Sequence, residues 1–492
     1  MRGCAPEPAH PGAQERAGAV AVAFRGGDAR RPITEQTRFP SRRDVILIAA
    51  ATASPMTRAV IITATAAGGP QVNFSAPTGK TLNKSMFGFS CSYWGGQHFT
   101  DATFRATANT YLKPACLIFN PDWDLDGKYA AGDMTVINQL LGNYRSFCQS
   151  GVRVVMGCCY KPTLPASTMA SRAANFARSV NSNGYSDILD WRIGSMWDSD
   201  PGSSMSQVVS YFNAVSDALH AVNPRYRVWA APQWDPGVYG NASFASQVGS
   251  TRCNGMAWMT YDCAAEAPDG SLTDPLDIIY GAKGVSNQDA VTQRNALAGT
   301  SLANTPLGVA EWNMGEATVG GGTTIPQNGR YMSGIYAACL TYGLFKSVPN
   351  MDFACLQNIV SYGYEGAIGN TQQGGRMAAV CAHGYFLGKA GQSLYGPEYT
   401  ATNNIANLAI LAVKPSSTTF AILLINYDLS NARTINLSLS GGVPSGTISR
   451  WEIGKSSPGA PNSPTPVTGA QTGLESISVA SETIVILTGQ LS

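Results

Sequence analysis

A carboxylate, an aromatic ring and an amide follow one another at Glu311-Trp312-Asn313, directly after the apolar run Leu307-Gly308-Val309-Ala310. That run is too short for helical periodicity and is bounded by Pro306, so it reads as a fully buried strand. A charge at the mouth of such a strand costs several kcal/mol unless it is paired or used. Glu311 is therefore either half of an ion pair or a working carboxylate, a nucleophile or a proton carrier. Further polar and aromatic residues gather where other apolar runs end: Trp94 and His98, Asn120 and Trp123, Gln233 and Trp234, Trp258 and Tyr261, and Gln357. Aromatic faces with convergent amides and carboxylates suit a polyhydroxylated ligand. For any one Trp of this set, Trp312 included, core packing is an equal alternative. His220 and His383 fall on helical stretches, which leaves few candidates for a Ser-His-Asp arrangement.

A second cluster lies at Asp122-Trp123-Asp124-Leu125-Asp126-Gly127, with Asp133 at the twelfth position. Alternate carboxylates converging around a sharp glycine turn have the form of an EF-hand calcium loop. A strand precedes it where a helix belongs, so two readings stand. Asp122, Asp124, Asp126 and Asp133 hold a structural calcium, or they form a solvated acidic loop beside the cleft. No other cofactor is required. No Gly-x-Gly-x-x-Gly follows a strand, and no C-x-x-C pair is present for zinc.

The elements that must position these residues alternate along the chain. Strands are expected at Met86–Phe89, Ala115–Phe119, Val152–Met156, Asp190–Gly194, Arg227–Ala230, Met256–Met259, Leu307–Ala310 and Met351–Cys355. Between them, apolar residues recur at helical spacing, for example Val208, Tyr211/Phe212, Val215, Leu219 and Val222 ahead of Pro224. Eight strands separated by helices predict an α/β chain with a closed parallel (β/α)8 barrel over residues 85–392. From about residue 393 the apolar runs follow one another without helices, predicting an antiparallel β-sandwich over 393–492. A lone strand at 71–84 is free to join it.

The composition narrows the function classes. Charged residues make up 13% of the chain and hydrophobic ones 44%, as in a globular protein with an uncharged polar surface. The net charge of +2 divides into +4 over residues 1–66 (nine Arg, five acids) and −2 over the rest (24 basic, 26 acidic). That balance offers nothing to track phosphates and excludes nucleic acid as a partner. Residues 1–66 read as an unstructured extension and a twin-arginine export signal: Ser41-Arg42-Arg43-Asp44-Val45-Ile46-Leu47, an apolar stretch, then Ala64-Thr65-Ala66 as a cleavage site. Arg58 interrupts the stretch and argues against a stable membrane span. Export places the folded protein in the periplasm or outside the cell. Nothing in the sequence specifies an oligomeric state. Cys253 and Cys263 are spaced to pair across a strand, whereas Cys116, Cys339 and Cys355 sit in apolar runs as core thiols.

Strand-Glu-Trp-Asn resembles the nucleophile strand of retaining glycoside hydrolases of clan A, closest to families 39 and 51. The succession of barrel and sandwich matches this resemblance over roughly residues 71 to 491. The resemblance implies that Glu311 attacks an anomeric carbon to give a covalent glycosyl-enzyme, on β-linked sugars of a plant or bacterial polysaccharide. It also implies a second carboxyl group about 5–5.5 Å away as acid/base. The family pattern at the fourth strand is Trp-x-Ile-Gly-Asn-Glu-x-Asp, and this chain reads Trp191-Arg192-Ile193-Gly194-Ser195-Met196-Trp197-Asp198. Met196 cannot carry a proton. Ile118 stands where the resemblance expects a second-strand Arg. Asp198 and Asp200 follow in the same loop and are the replacement candidates, with Trp197 a sugar contact beside them. Two extended residues move a carboxyl by over ~6 Å, so an inverting separation of roughly 6.5–9.5 Å is also within reach. Two alternatives stand beside this one. The enzyme could rely on a leaving group that departs unassisted, or the barrel could be a carbohydrate-binding pseudoenzyme.

Overall fold

In a computed structural model of the chain, residues 69–92, 97–120, 135–158, 164–194, 204–231, 241–262, 286–314, 317–319, 323–325, 331–362, 367–370, 377–428, 430–459 and 464–492 are described. In chain order, β1 (Gln71–Leu82) leads through a short 3-10 turn (Lys84–Phe87) to β2 (Gly88–Ser92), α1 (Ala102–Thr107) and β3 (Cys116–Asn120). Then come α2 (Thr135–Arg145), β4 (Arg153–Cys158), α3 (Ala166–Ser182), β5 (Asp190–Ile193), α4 (Met205–Val222) and β6 (Arg227–Ala230). These are followed by α5 (Asn241–Gln247), β7 (Gly255–Asp262), α6 (Ser286–Ala296) and β8 (Leu307–Met314). A hairpin, β9 (Ala317–Val319) with β10 (Thr323–Ile325), precedes α7 (Tyr331–Ser347) and β11 (Met351–Gln357).

The strands β11-β2-β3-β4-β5-β6-β7-β8 close into a parallel barrel, as the alternation of runs predicts. Helices α3 and α4 each lay one apolar stripe on it. In α3 the buried set includes Met169, Ala173, Phe176, Ala177 and Val180, spaced for a single face. Helix α4 starts on a capping box, Ser204 with Gln207, which satisfies the first free amides reciprocally. The sequence places the first barrel strand two residues early. Met86 and Phe87 belong to the 3-10 turn, and pairing begins at Gly88. A Cβ at Gly88 would stand 2.6 Å from the Cys355 sulfur and 3.0 Å from Cys116 Cβ, so only glycine lets these neighbours meet in the barrel.

Beyond the barrel, β12 (Val360–Tyr362), β13 (Ile368–Asn370) and β14 (Met377–Val380) form a small sheet ahead of α8 (Ala382–Ser393). The last segment supplies β15 (Gly396–Thr402), β16 (Leu408–Val413), β17 (Thr419–Asn426), β18 (Arg433–Ile435) and β19 (Ser438–Ser440). It ends with β20 (Pro444–Gly454), β21 (Val467–Gln471), β22 (Ile477–Val479) and β23 (Thr483–Leu491). Eight strands, β1 among them, make one sheet in the order β19-β1-β15-β16-β17-β23-β20-β21, and β18 pairs with β22 in a second. The lone N-terminal strand pairs antiparallel with β15 and parallel with β19.

The central strands of the large sheet are apolar at every position because both faces are covered. Ile410, Ile422, Leu424, Val485 and Leu487 face the core that β18 and β22 close. Leu411, Leu423, Ile425, Ile484 and Ile486 join the cluster that contains the barrel's outer face and α7. Among the described residues, no helix is long and apolar enough to cross a membrane.

Candidate active site in the barrel mouth

The lumen is built in layers. At the amino ends of the strands Asp190 accepts from four donor atoms. Arg153 Nε and Nη2 lie at 3.1 and 3.0 Å, Arg227 Nη2 at 2.5 Å and Trp229 Nε1 at 2.8 Å. Arg153 also reaches Asp352 at 2.8 Å. Its guanidinium lies 5.3 Å from the Trp229 ring centre and 5.1 Å from that of Phe353. Above this ionic floor Trp229 and Phe353 meet edge to face at 4.8 Å, with Ile118, Val155, Ala257, Ala310, Cys116 and Cys355 around them. Burial pushes the Cys355 thiol well above its ordinary range, assisted by Cys116 and by the charge of Glu311. Both sulfurs are free and 3.9 Å apart, as expected for core thiols.

Glu311 faces this lumen because of a defect in β8. Val309 and Trp312 belong to the outer cluster and Ala310 to the inner one. Strict alternation would therefore turn Glu311 outward, toward the helices. Both neighbours of β8 show a register shift here. Trp258 and Met259 of β7 oppose Val309 and Glu311, while Ala354 and Leu356 of β11 oppose Val309 and Trp312. A bulge puts two successive side chains on one face, and so Ala310 and Glu311 both look inward. The carboxylate is 5% exposed, and the Ser90 hydroxyl of β2 donates to its Oε1 at 3.4 Å. Ser90 is itself wholly buried.

Of the other sequence-derived candidates, Gln357 ends β11 half-buried in register with Ser90. His98 sits in a short 3-10 turn (Gln97–Thr100) after β2. Burial lowers its pKa and Asp101 partly restores it. Asn120 and Tyr261 lie at the ends of β3 and β7. Trp258 and Trp312 do not line the mouth. Each is 1% exposed in the outer cluster, Trp312 with its ring 5.9 Å from that of Tyr336 on α7. Trp312 follows an inward residue on a strand, so its side chain points away from the carboxylate. Ala257 takes the inward place beside Trp258. These two tryptophans brace the wall that carries Glu311.

Trp94, Asp122, Trp123, Asp124, Asp126, Asp133, Trp197, Asp198, Asp200, Gln233 and Trp234 lie outside the described residues, and so do Met196 and Cys263. Cys253 is a free, buried thiol that donates to the Gly255 carbonyl at 3.2 Å. Among the described residues, no group of three or more His, Cys, Asp or Glu is placed to hold a metal.

Two residues of the site carry no mark in the sequence reading. Ser90 is hidden inside an apolar strand. Arg192 is 0% exposed on β5, whose Trp191 and Ile193 point outward and whose Asp190 points inward. Two charges two apart in a buried strand are the signal for it. Ile118 fills the lumen where the resemblance expects an Arg.

By sequence the chain matches no protein-family model and no curated protein. By structure it is similar to an α-L-arabinofuranosidase from Thermotoga maritima in complex with arabinose, at 11% identity and TM-score 0.63, covering 86% of this chain and 100% of that one. A family 51 α-L-arabinofuranosidase from Bifidobacterium longum matches at 12% identity and TM-score 0.66, with 86% and 100% covered. A monomeric β-xylosidase from Caulobacter crescentus matches at 12% identity and TM-score 0.61, with 86% and 99% covered. The likeness is one of fold, the barrel with its appended antiparallel sheet that the resemblance to clan A implies.

Proposed function

We propose that this chain is a glycoside hydrolase that cleaves β-linked sugars of a plant or bacterial polysaccharide or oligosaccharide, with Glu311 as its nucleophile. The observation that carries the proposal is the bulge in β8, which turns a 5% exposed carboxylate into the lumen near the carboxyl ends of the strands. Side chains in that position meet a substrate that enters from the carboxyl face of a barrel. Attack by Glu311 on the anomeric carbon gives a glycosyl-enzyme, which water then releases. Ser90 donates to one carboxylate oxygen, and the other attacks. Asp198 or Asp200 supplies the proton that Met196 cannot. The Arg42-Arg43 leader directs the enzyme to the periplasm or the medium.

The neighbours in fold are described as α-L-arabinofuranosidases and a β-xylosidase. The test is therefore turnover of activated aryl glycosides of both kinds, together with β-glucosides. Glu311→Gln is expected to lower kcat/KM by about a thousandfold or more. Unchanged turnover in that variant removes Glu311 from the mechanism. Met196 in the acid/base place favours a second reading, a carbohydrate-binding pseudoenzyme. Calorimetric binding of oligosaccharides without turnover of any aryl glycoside would select it.

A further inference from the structure

Ser90 is placed to act on the reaction and not only on the fold. It stands on β2 between Phe89 and Cys91, which join the outer cluster, so its own side chain faces the lumen. Its neighbours in register are Gln357 of β11 and Ile118 of β3, and its carbonyl accepts from the Ile359 amide at 2.8 Å. The residue is therefore held from both sides. A hydroxyl that is 0% exposed is costly without a partner, and the structure gives it Glu311 Oε1 at 3.4 Å. That distance is long for an O–H···O bond, and such bonds tighten as charge develops on the acceptor.

On the glycosidase reading, on which this inference rests, the demand on Oε1 differs between the two half-reactions. Attack turns the carboxylate into an ester whose carbonyl oxygen is Oε1, so that oxygen loses charge and the donor is worth less. Breakdown reverses this. The bond from the anomeric carbon to Glu311 breaks and its electron pair returns to the carboxylate. Water supplies the new oxygen, and its proton passes to Asp198 or Asp200. A fixed donor aimed at the oxygen where charge returns lowers this second barrier. We infer that Ser90 is a positioning residue for release of the glycosyl-enzyme: acting through Oε1, it speeds departure of the sugar from Glu311 and does not assist the attack.

The test is the kinetics of Ser90→Ala in the full chain on an activated dinitrophenyl glycoside, with thermal melts to check folding. Slower release is expected to lower kcat about tenfold. KM is expected to fall with it, leaving kcat/KM within about twofold of wild type. Rapid mixing is expected to show a burst of about one phenolate per active site, and the intact mass of the quenched variant is expected to gain one glycosyl residue. A structural defect would lower kcat/KM and give no burst. Ser90→Thr, which restores the hydroxyl, is expected to recover kcat, and a threonine variant as slow as the alanine one overturns the role. If Ser90→Ala does not fold, Ser90→Cys, a weaker donor of similar shape, takes its place with the same expected split. Equal losses in kcat and kcat/KM, or kinetics like those of wild type, overturn the role of Ser90 alone. Absence of turnover in the wild type overturns the glycosidase reading and this role with it.

Discussion

At the scale of single residues the reaction turns on which groups can carry charge and which can carry a proton. Glu311 is a buried carboxylate with a hydroxyl donor on Oε1, which suits a nucleophile that must lose little on desolvation. On the proposed glycosidase reading, Met196 leaves the departing oxygen without an acid, and Asp198 is the next carboxyl along the sequence. A general acid matters in proportion to the basicity of the leaving group. Asp198→Asn is therefore expected to slow glycosides with poor leaving groups by roughly 10²–10⁴-fold while leaving dinitrophenyl glycosides near wild-type rates. Steady-state kcat/KM across a series of aryl leaving groups measures this as a steeper dependence on leaving-group pKa. An unchanged slope in Asp198→Asn moves the role to Asp200. A like flat result for Asp200→Asn as well leaves an enzyme that works without its own acid.

At the scale of elements, the aim of Glu311 depends on how tightly β8 is seated. A Cβ at Gly308 would stand 2.4 Å from the Phe353 ring, and one at Gly255 2.2 Å from the Trp229 ring. Overpacking of this kind costs about 1–3 kcal/mol and pushes the strand outward. Gly308→Ala is expected to lower the melting temperature and kcat/KM together, and Phe353→Leu added to it is expected to restore part of both. A Gly308→Ala variant that melts like wild type would mean that the ring moves freely and does not hold the strand. Much of this element was legible in sequence, because a short apolar run between breakers has few homes outside a buried strand. By sequence Trp312 was a sugar-contact candidate beside Glu311, and the strand turns the two opposite ways, as successive strand residues do. What could not be read was which of the two faces inward. The bulge decides that, and it is a matter of register against β7 and β11. Helix α7 escaped for a different reason. It is covered both by the barrel and by the large sheet, so Tyr336, Ala337, Ala338, Cys339 and Leu340 are all wholly buried and no polar stripe marks a helical period.

At the scale of the molecule, barrel and sheet are joined through a line of buried polar groups beside α7. Tyr331, the first residue of α7, donates to Glu482 Oε2 at 3.3 Å, and Lys455 Nζ reaches the same oxygen at 2.7 Å. The Glu482 amide donates to the Asp428 carbonyl at 3.1 Å. The Asp428 carboxyl collects the amides of Ser430 and Asn431 at 3.0 and 2.8 Å and the Arg433 guanidinium at 2.5 Å. Burial raises the pKa of this carboxyl, but the donors outweigh it and hold it at about 2. A carboxyl whose folded pKa lies below its unfolded value stabilises the fold above the unfolded value. It loses that contribution as pH falls toward the folded one. The window here runs from about pH 4 down to about pH 2. Asp428→Asn puts an NH2 group among donors and is expected to melt well below wild type at pH 6. The gap should narrow steadily from pH 4 to pH 2, where about half of the wild-type carboxyl is itself protonated. Comparing the two proteins cancels whatever else changes alike in both over this range. A gap that stays constant to pH 2 would show that Asp428 is held by shape and not by charge.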